Sequence, residues 1–283
     1  MPAHGAVAFD PVTQDPPPRE PPPSMDDVRI ASGGVDMNGI VYLPGGAGPH
    51  PVAILLHGLP GNERNLDLAQ ALRRAGWAVV FFHYRGAWGS PGAFGFRHVL
   101  EDTNAVVNWT TTPAVRARFA FDDGPRTLVG HSMGGFAALG AGAQNGSVGC
   151  VASIAGANMG LLGPRMDAAD AVRDAVTGSF DAYARGPLAG TSGALMVAEL
   201  IEDAERFDVQ RGVAALAERR LLLVGGSRDT VVPMADHHAP MLAALRARDA
   251  DVEELVLDDD HAFSASRIAL AHALVAWLGD GCD

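Results

Sequence analysis

The chain predicts an α/β fold: a mostly parallel central sheet with helices on both faces and one helical insertion. Three observations carry that expectation. Short apolar runs rich in β-branched residues alternate with stretches of helical periodicity, the pattern of repeated strand–helix units. Several runs are apolar at every position, as strands covered on both faces must be. With 283 residues, 48% of them hydrophobic, the chain can bury the core of one large domain.

The elements follow in order. Residues 1–24 hold eight of the nineteen prolines, including "DPPPREPPPS". Such a segment favours extended, solvated backbone, so 1–24 is expected to be a disordered tail or linker ahead of a domain over 25–283. "VDMNGIVYL" (35–43) alternates and stops at Pro44-Gly45-Gly46, as an antiparallel strand does. "VAILLH" (52–57) and "WAVVFFHY" (77–84) read as buried strands, with "NLDLAQALRRAG" (65–76) a helix between them that ends at Gly76. "VLEDTNAVVNW" (99–109) is helical. "RTLVG" (126–130) is a strand, "GFAALGAGAQ" (135–144) a helix and "VGCVASIAG" (148–156) the next strand. "RLLLVGG" (220–226), "PMLAALRAR" (240–248), "VEELVLD" (252–258) and "SRIALAHALVAWLG" (266–279) continue as strand, helix, strand, helix. Between them, 158–212 contains no strand-like run. "MDAADAVRDAVTGSFDAYA" and "ALMVAELIEDAERF" are amphipathic there. A structureless loop of that length is uncommon in a compact domain, so a helical cap insertion is expected.

Composition excludes several function classes. The net charge of -12 disfavours nucleic-acid and anionic-membrane partners. No apolar run approaches the roughly 20 residues of a membrane-spanning helix. All 21 basic residues are arginine, which excludes Schiff-base and P-loop chemistry and a Ser–Lys dyad. Cys150 and Cys282 make no framework and lack metal-site spacing; Cys150, opening "CVASIA", reads as a buried small hydrophobe and Cys282 as part of a polar tail. The amino-terminal segment has no charged-then-apolar leader pattern. The compartment therefore stays open: the absence of that pattern fits the cytoplasm, and a leader trimmed ahead of the Pro-rich spacer would fit the periplasm or the exterior.

The chemistry centres on Gly130-His131-Ser132-Met133-Gly134, a G-x-S-x-G pattern between a strand and a helix. A serine on so tight a turn needs small neighbours two positions away, and its hydroxyl projects beyond the carboxyl end of the sheet, near the positive end of the next helix. Serine needs a base. Of the ten histidines, His261 follows a strand and precedes the last helix, on the sheet edge where an open parallel sheet gathers its chemistry. His57 is expected to support its loop, His131 to point elsewhere, and His237 and His238 to be solvated. Asp229, directly after "RLLLVGG", is expected to orient His261; Asp258, Asp259 and Asp260 read as a solvated turn. The oxyanion is assigned to the backbone N–H groups of Met133 and of Leu59, since Pro60 has none. Arg85 is expected to pair with an acid such as Asp102, and Trp88 is a candidate for lining the substrate pocket.

With "HGLPGN", "HYRGAWGSPG", "GHSMGG", "GGSRDTVVP" and "DDDHAFS" in that order, residues 28–283 resemble the α/β-hydrolase superfamily, specifically its dienelactone-hydrolase-like and prolyl-oligopeptidase-like serine hydrolases. The resemblance implies the α/β-hydrolase fold and acyl transfer to water through an acyl-serine, with a small-molecule ester as substrate and no cofactor or metal. A small peptidase or amidase with the same triad, and a non-catalytic binding protein on this scaffold, are the alternatives. Oligomeric state is not legible in the sequence.

Overall fold

Five strands are buried at nearly every position: β3 (Val52–Leu56), β4 (Ala78–Phe82), β5 (Arg126–His131), β6 (Val148–Ile154) and β7 (Arg220–Gly226). In the computed structural model, which describes residues 9–282, they form the centre of an eight-stranded sheet in the order β1-β2-β4-β3-β5-β6-β7-β8. β1 (Ser24–Ser32) and β2 (Val35–Leu43) run antiparallel at one edge, and all pairings from β4 to β8 (Val252–Leu257) are parallel. Their apolar runs suit this placement, because both faces are covered.

On one face lie α1 (Leu66–Arg74) and α10 (Arg267–Gly279), packed through Leu68, Leu72, Leu270, Leu274 and Trp277. On the other lie α2 (Phe96–Thr111), the short α3 (Pro113–Phe119) and α4 (Met133–Gln144). In α4 small residues and Phe136 bury nearly every position. Helices α5 (Leu162–Ala168), α6 (Asp170–Ala184) and α7 (Gly193–Glu202) lie in residues 158–212, the segment the sequence reads as an insertion. α8 (Val213–Leu216) and α9 (His238–Arg246) return the chain to the α4 face. The α/β fold and mostly parallel sheet expected from the sequence are therefore observed. No helix among the described residues is long and apolar enough to cross a membrane.

Three expectations need correction. Residues 9–23 are not a loose tail. Arg74 donates to the carbonyls of Pro11 and Val12 at 2.5 and 3.0 Å, and Gly46 N–H donates to Pro21 O at 2.8 Å. Prolines lack an N–H but keep a carbonyl, so a guanidinium and a loop amide can hold them as a strap; residues 1–8 lie outside the described part. Secondly, the two cysteines form a disulfide, with Cα atoms 5.9 Å apart. Arg220 pairs with Cys150 in the β6–β7 register and donates to Asp280 O at 2.8 Å, which brings the segment after α10 to β6. Thirdly, β1 begins at Ser24, inside the segment read as tail. Only its Val28, Ile30 and Ser32 are buried, and charged residues alternate with them as they do on protected edge strands.

The insertion packs on the loop that follows β4. Leu188 bridges Ala87, and Ala189 N–H donates to Gly86 O at 2.7 Å. Glu199 of α7 accepts from the amides of Phe96 and Arg97, both at 2.8 Å, and so caps α2 from outside with a negative charge at its positive end.

Candidate active site

Parallel register brings the carboxyl ends of the strands to one edge. Leu56 pairs with Gly130, and Gly226 with Leu257. The loops leaving these ends carry His57–Gly61, Ser132, Asp229 and His261.

Ser132 sits at φ 59°, ψ −118°, in a region costly for a residue with a side chain. The turn is held from three sides. Ser132 N–H donates to Ile154 O at 2.9 Å, while its carbonyl accepts from Gly135 at 2.9 Å and Ala157 at 3.1 Å. The flanking glycines are a steric requirement. A Cβ on Gly130 would stand 2.0 Å from Gly134 O, and one on Gly134 would stand 2.1 Å from Leu56 O. A Cβ on Gly58 would reach 3.0 Å from that of Ser132, so the loop after β3 presses its backbone against the serine.

His261 Nδ1–H donates to Asp229 Oδ2 at 2.7 Å. Asp229's side chain is 1% exposed and that of His261 18%, so the acid is shielded while the imidazole stays reachable. The other carboxylate oxygen accepts from the amides of Val231 and Val232, each at 2.8 Å. Burial pushes the Asp229 carboxyl up, but the bond from His261 and the two amides outweigh it and hold it below its ordinary value. With Nδ1 committed as donor, Nε2 carries the lone pair. Among the described residues no direct hydrogen bond joins it to Ser132 Oγ. Such bonds often tighten only when substrate is bound.

The two backbone amides expected near the serine are unengaged: neither Leu59 N–H nor Met133 N–H has a protein acceptor among the described residues. Met133 is the first residue of α4, where amides have no partner within the helix.

Burial shifts three other histidines near the site toward the neutral form. His131 is buried and turned toward the site. Its Nε2–H donates to His261 O at 2.8 Å, and burial lowers its pKa to about 4. His57 is fully buried, its Nδ1–H donating to Gly58 O at 2.8 Å, and burial again takes it to about 4. His83 Nδ1 faces His57 Nε2 at 3.3 Å; burial, then its histidine neighbour, lower it to about 3. Contrary to expectation, His237 is buried and accepts from Asn158 N–H at 2.9 Å, and His238 faces Glu254 at 3.1 Å.

Arg85 and Asp102 pair as expected. Arg85 Nε meets Asp102 Oδ1 at 2.6 Å, and the Arg85 amide donates to Oδ2 at 2.8 Å. Trp88 is half-buried, and its indole N–H donates to Pro60 O at 2.7 Å. In the acidic run Asp258 and Asp260 are exposed, as expected of a solvated turn, but Asp259 is not. Asp259 is 2% exposed and accepts from Asp260 and Ala265 amides, while Asp260 accepts from Ala262 and Ser264. These carboxylates brace the His261 loop, a role that only the loop's curvature reveals. Among the described residues no three His, Cys, Asp or Glu side chains group to hold a metal ion.

The family described as serine aminopeptidase, S33 matches residues 47–177. An Escherichia coli protein of 31.7 kDa from the traX-finO intergenic region is 36% identical over 118 residues, 39% of either chain. The lysophosphatidylserine lipase ABHD12 of Gallus gallus is 34% identical over 88 residues, 30% of this chain and 21% of that one. The chain thus matches about two fifths and one fifth of these relatives' own lengths. The esterase Pf2001 of Pyrococcus furiosus superposes with a TM-score of 0.63 at 17% identity, covering 90% of this chain and 89% of that one.

Proposed function

We propose that this chain is a serine hydrolase of the α/β-hydrolase superfamily, cleaving carboxylic esters of short to medium acyl chains through an acyl-serine; the S33 family match over residues 47–177 and the shared fold support that reading. One observation carries the reading: a serine strained onto the carboxyl edge of the sheet shares that edge with an imidazole whose Nδ1–H is bonded to a buried carboxylate. In the proposed sequence Ser132 Oγ attacks the ester carbonyl as His261 Nε2 takes its proton. Asp229 stabilises the imidazolium and keeps the tautomer. The free amides of Leu59 and Met133 receive the oxyanion. His261 then returns the proton to the leaving alcohol, and water repeats the sequence on the acyl-serine.

A peptidase or amidase reading is supported by the S33 aminopeptidase family match over 47–177. Rates on matched ester and amide substrates separate the two. The insertion at 158–212 is proposed as a cap that shapes the acyl pocket. The Cys150–Cys282 disulfide supports an oxidising compartment. The direct test is labelling by a fluorophosphonate probe with hydrolysis of an activated short-chain ester. Ser132→Ala should lose both, with kcat falling on the order of 10⁶-fold. Retention of more than a few per cent of activity in pure Ser132→Ala protein overturns the assignment.

A further inference from the structure

Trp88 stands at a junction of three segments. Its backbone N–H donates to Pro187 O at 2.8 Å, beside the Ala87–Leu188 bridge, so it is stitched to the insertion. Its indole N–H donates in the other direction, to Pro60 O at 2.7 Å. The ring is held by neighbours from both segments that flank it in the sheet. The Arg64 guanidinium lies 4.3 Å from the ring centroid, and the His83 ring stacks on it with centroids 6.1 Å apart. Arg64 Nε in turn donates to Gly61 O at 3.3 Å. Gly61, at φ 98°, lets the loop pass under this group: a Cβ there would stand 2.7 Å from both His57 Nδ1 and Trp88 Nε1.

The loop 57–61 therefore lies between two fixed bodies, Ser132 on one side and the Trp88 indole on the other. An oxyanion donor lowers a barrier only when it is fixed before the reaction begins. Pro60 O is two peptide groups along the chain from Leu59 N–H, so a bond to that carbonyl limits rotation of the intervening backbone. Within the loop the His57 imidazole bonds only to its own neighbour; from outside, Tyr84 Oη donates to His57 O at 3.4 Å and the indole supplies a shorter bond, to Pro60 O at 2.7 Å.

We infer that Trp88 is a positioning residue: its indole N–H, bonded to Pro60 O, holds the Leu59 amide toward the developing oxyanion and ties that loop to the Pro187–Ala189 segment of the insertion. The inference rests on the ester-hydrolase reading and on Leu59 as an oxyanion donor. It predicts an effect on turnover rather than on substrate capture, because the bond acts on the transition-state donor and touches no ground-state group of a small ester.

The test uses the full chain with 4-nitrophenyl acetate as substrate and a trifluoromethyl ketone as transition-state mimic. Two variants remove the N–H: Trp88→Phe, and replacement of Trp88 by 3-benzothienylalanine, which keeps the bicyclic ring and so the packing. In both, kcat should fall about tenfold, short of the ~10² to 10³ lost with an oxyanion donor itself, while KM stays within about twofold. Affinity for the ketone should weaken by the same factor as kcat/KM, with Tm of the benzothienyl protein unchanged. A benzothienyl protein with wild-type kcat and ketone affinity overturns the inference, whatever Trp88→Phe does. An equal loss in KM with kcat preserved also overturns it, since that outcome makes Trp88 a wall of the pocket. A wild-type protein that neither hydrolyses the ester nor labels with fluorophosphonate overturns the hydrolase reading, and this inference with it.

Discussion

The carboxylate that orients His261 comes from the neighbouring strand's loop, not from the acidic run beside it in sequence. Asp229 reaches Nδ1 at 2.7 Å, whereas Asp259 and Asp260 spend their oxygens on amides of their own loop. The two classes of aspartate should separate in one experiment. Asp229→Asn is expected to lower kcat by about 10⁴, because the amide favours the wrong imidazole tautomer. Asp260→Asn should keep kcat within about tenfold, since an amide oxygen still accepts from Ala262 and Ser264. Steady-state kinetics on a small activated ester reads both, and near-normal turnover in Asp229→Asn refutes the proposed role. G-x-S-x-G and Asp229 were legible because each follows a buried apolar strand, and His261 because it lies on the loop between the last strand and the last helix. The direction of His131 was not. Its ring crosses to a carbonyl 130 residues away, and nothing local in the sequence encodes that.

At the scale of elements, the insertion is the part of the chain whose helices were legible but whose purpose was not. Helical spacing and the break at "RGPLAGTSG" identify α6 and α7. Their docking onto α2 through Glu199, and onto residues 86–88 through 187–189, depends on hydrogen bonds between distant segments. If the insertion caps the acyl pocket, truncating half-buried apolar side chains such as Leu162, Val176 and Tyr183 to alanine should change acyl-length preference. Burying one methylene of the acyl chain is worth about 0.8 kcal/mol, or roughly fourfold in relative kcat/KM between butanoate and octanoate esters for each methylene that a truncated wall no longer covers. Reaction of Ser132 with a small organophosphorus probe should change far less. An unaltered acyl preference across the three variants means that the insertion does not cap the pocket.

For the whole molecule, two predictions concern stability. His57 and His131 leave a pKa near 6.5 in the unfolded chain for about 4 in the folded one, through burial, and His83 moves the same way. Across that window the unfolded state binds more protons, so stability should fall as pH drops from 6.5 toward 4. Asp229, with its lowered pKa, adds its own loss only below the ordinary carboxyl value of 3.8. Tm measured between pH 7.5 and 4.5 should show the first decline, and a Tm flat across that range contradicts it. The disulfide closes 132 residues of chain. A Cys150→Ala, Cys282→Ala double variant should lose about 2–4 kcal/mol, seen as a lower Cm in urea, and reductant should have the same effect on the native protein. Identical urea midpoints with and without reductant would contradict the second prediction. The sequence by itself determined the layer architecture, the strand ends and the serine, acid and histidine at one edge. It did so because burial on two faces writes continuous apolar runs, and a tight strand-to-helix turn demands glycines at fixed spacing. Only the tertiary structure decided the strap over 9–23, the Cys150–Cys282 bond, the bracing of the His261 loop and the bridge from the insertion through Trp88 to Pro60. Each of these joins segments whose proximity is set by sheet order and helix return. That proximity leaves no period or motif in either segment alone.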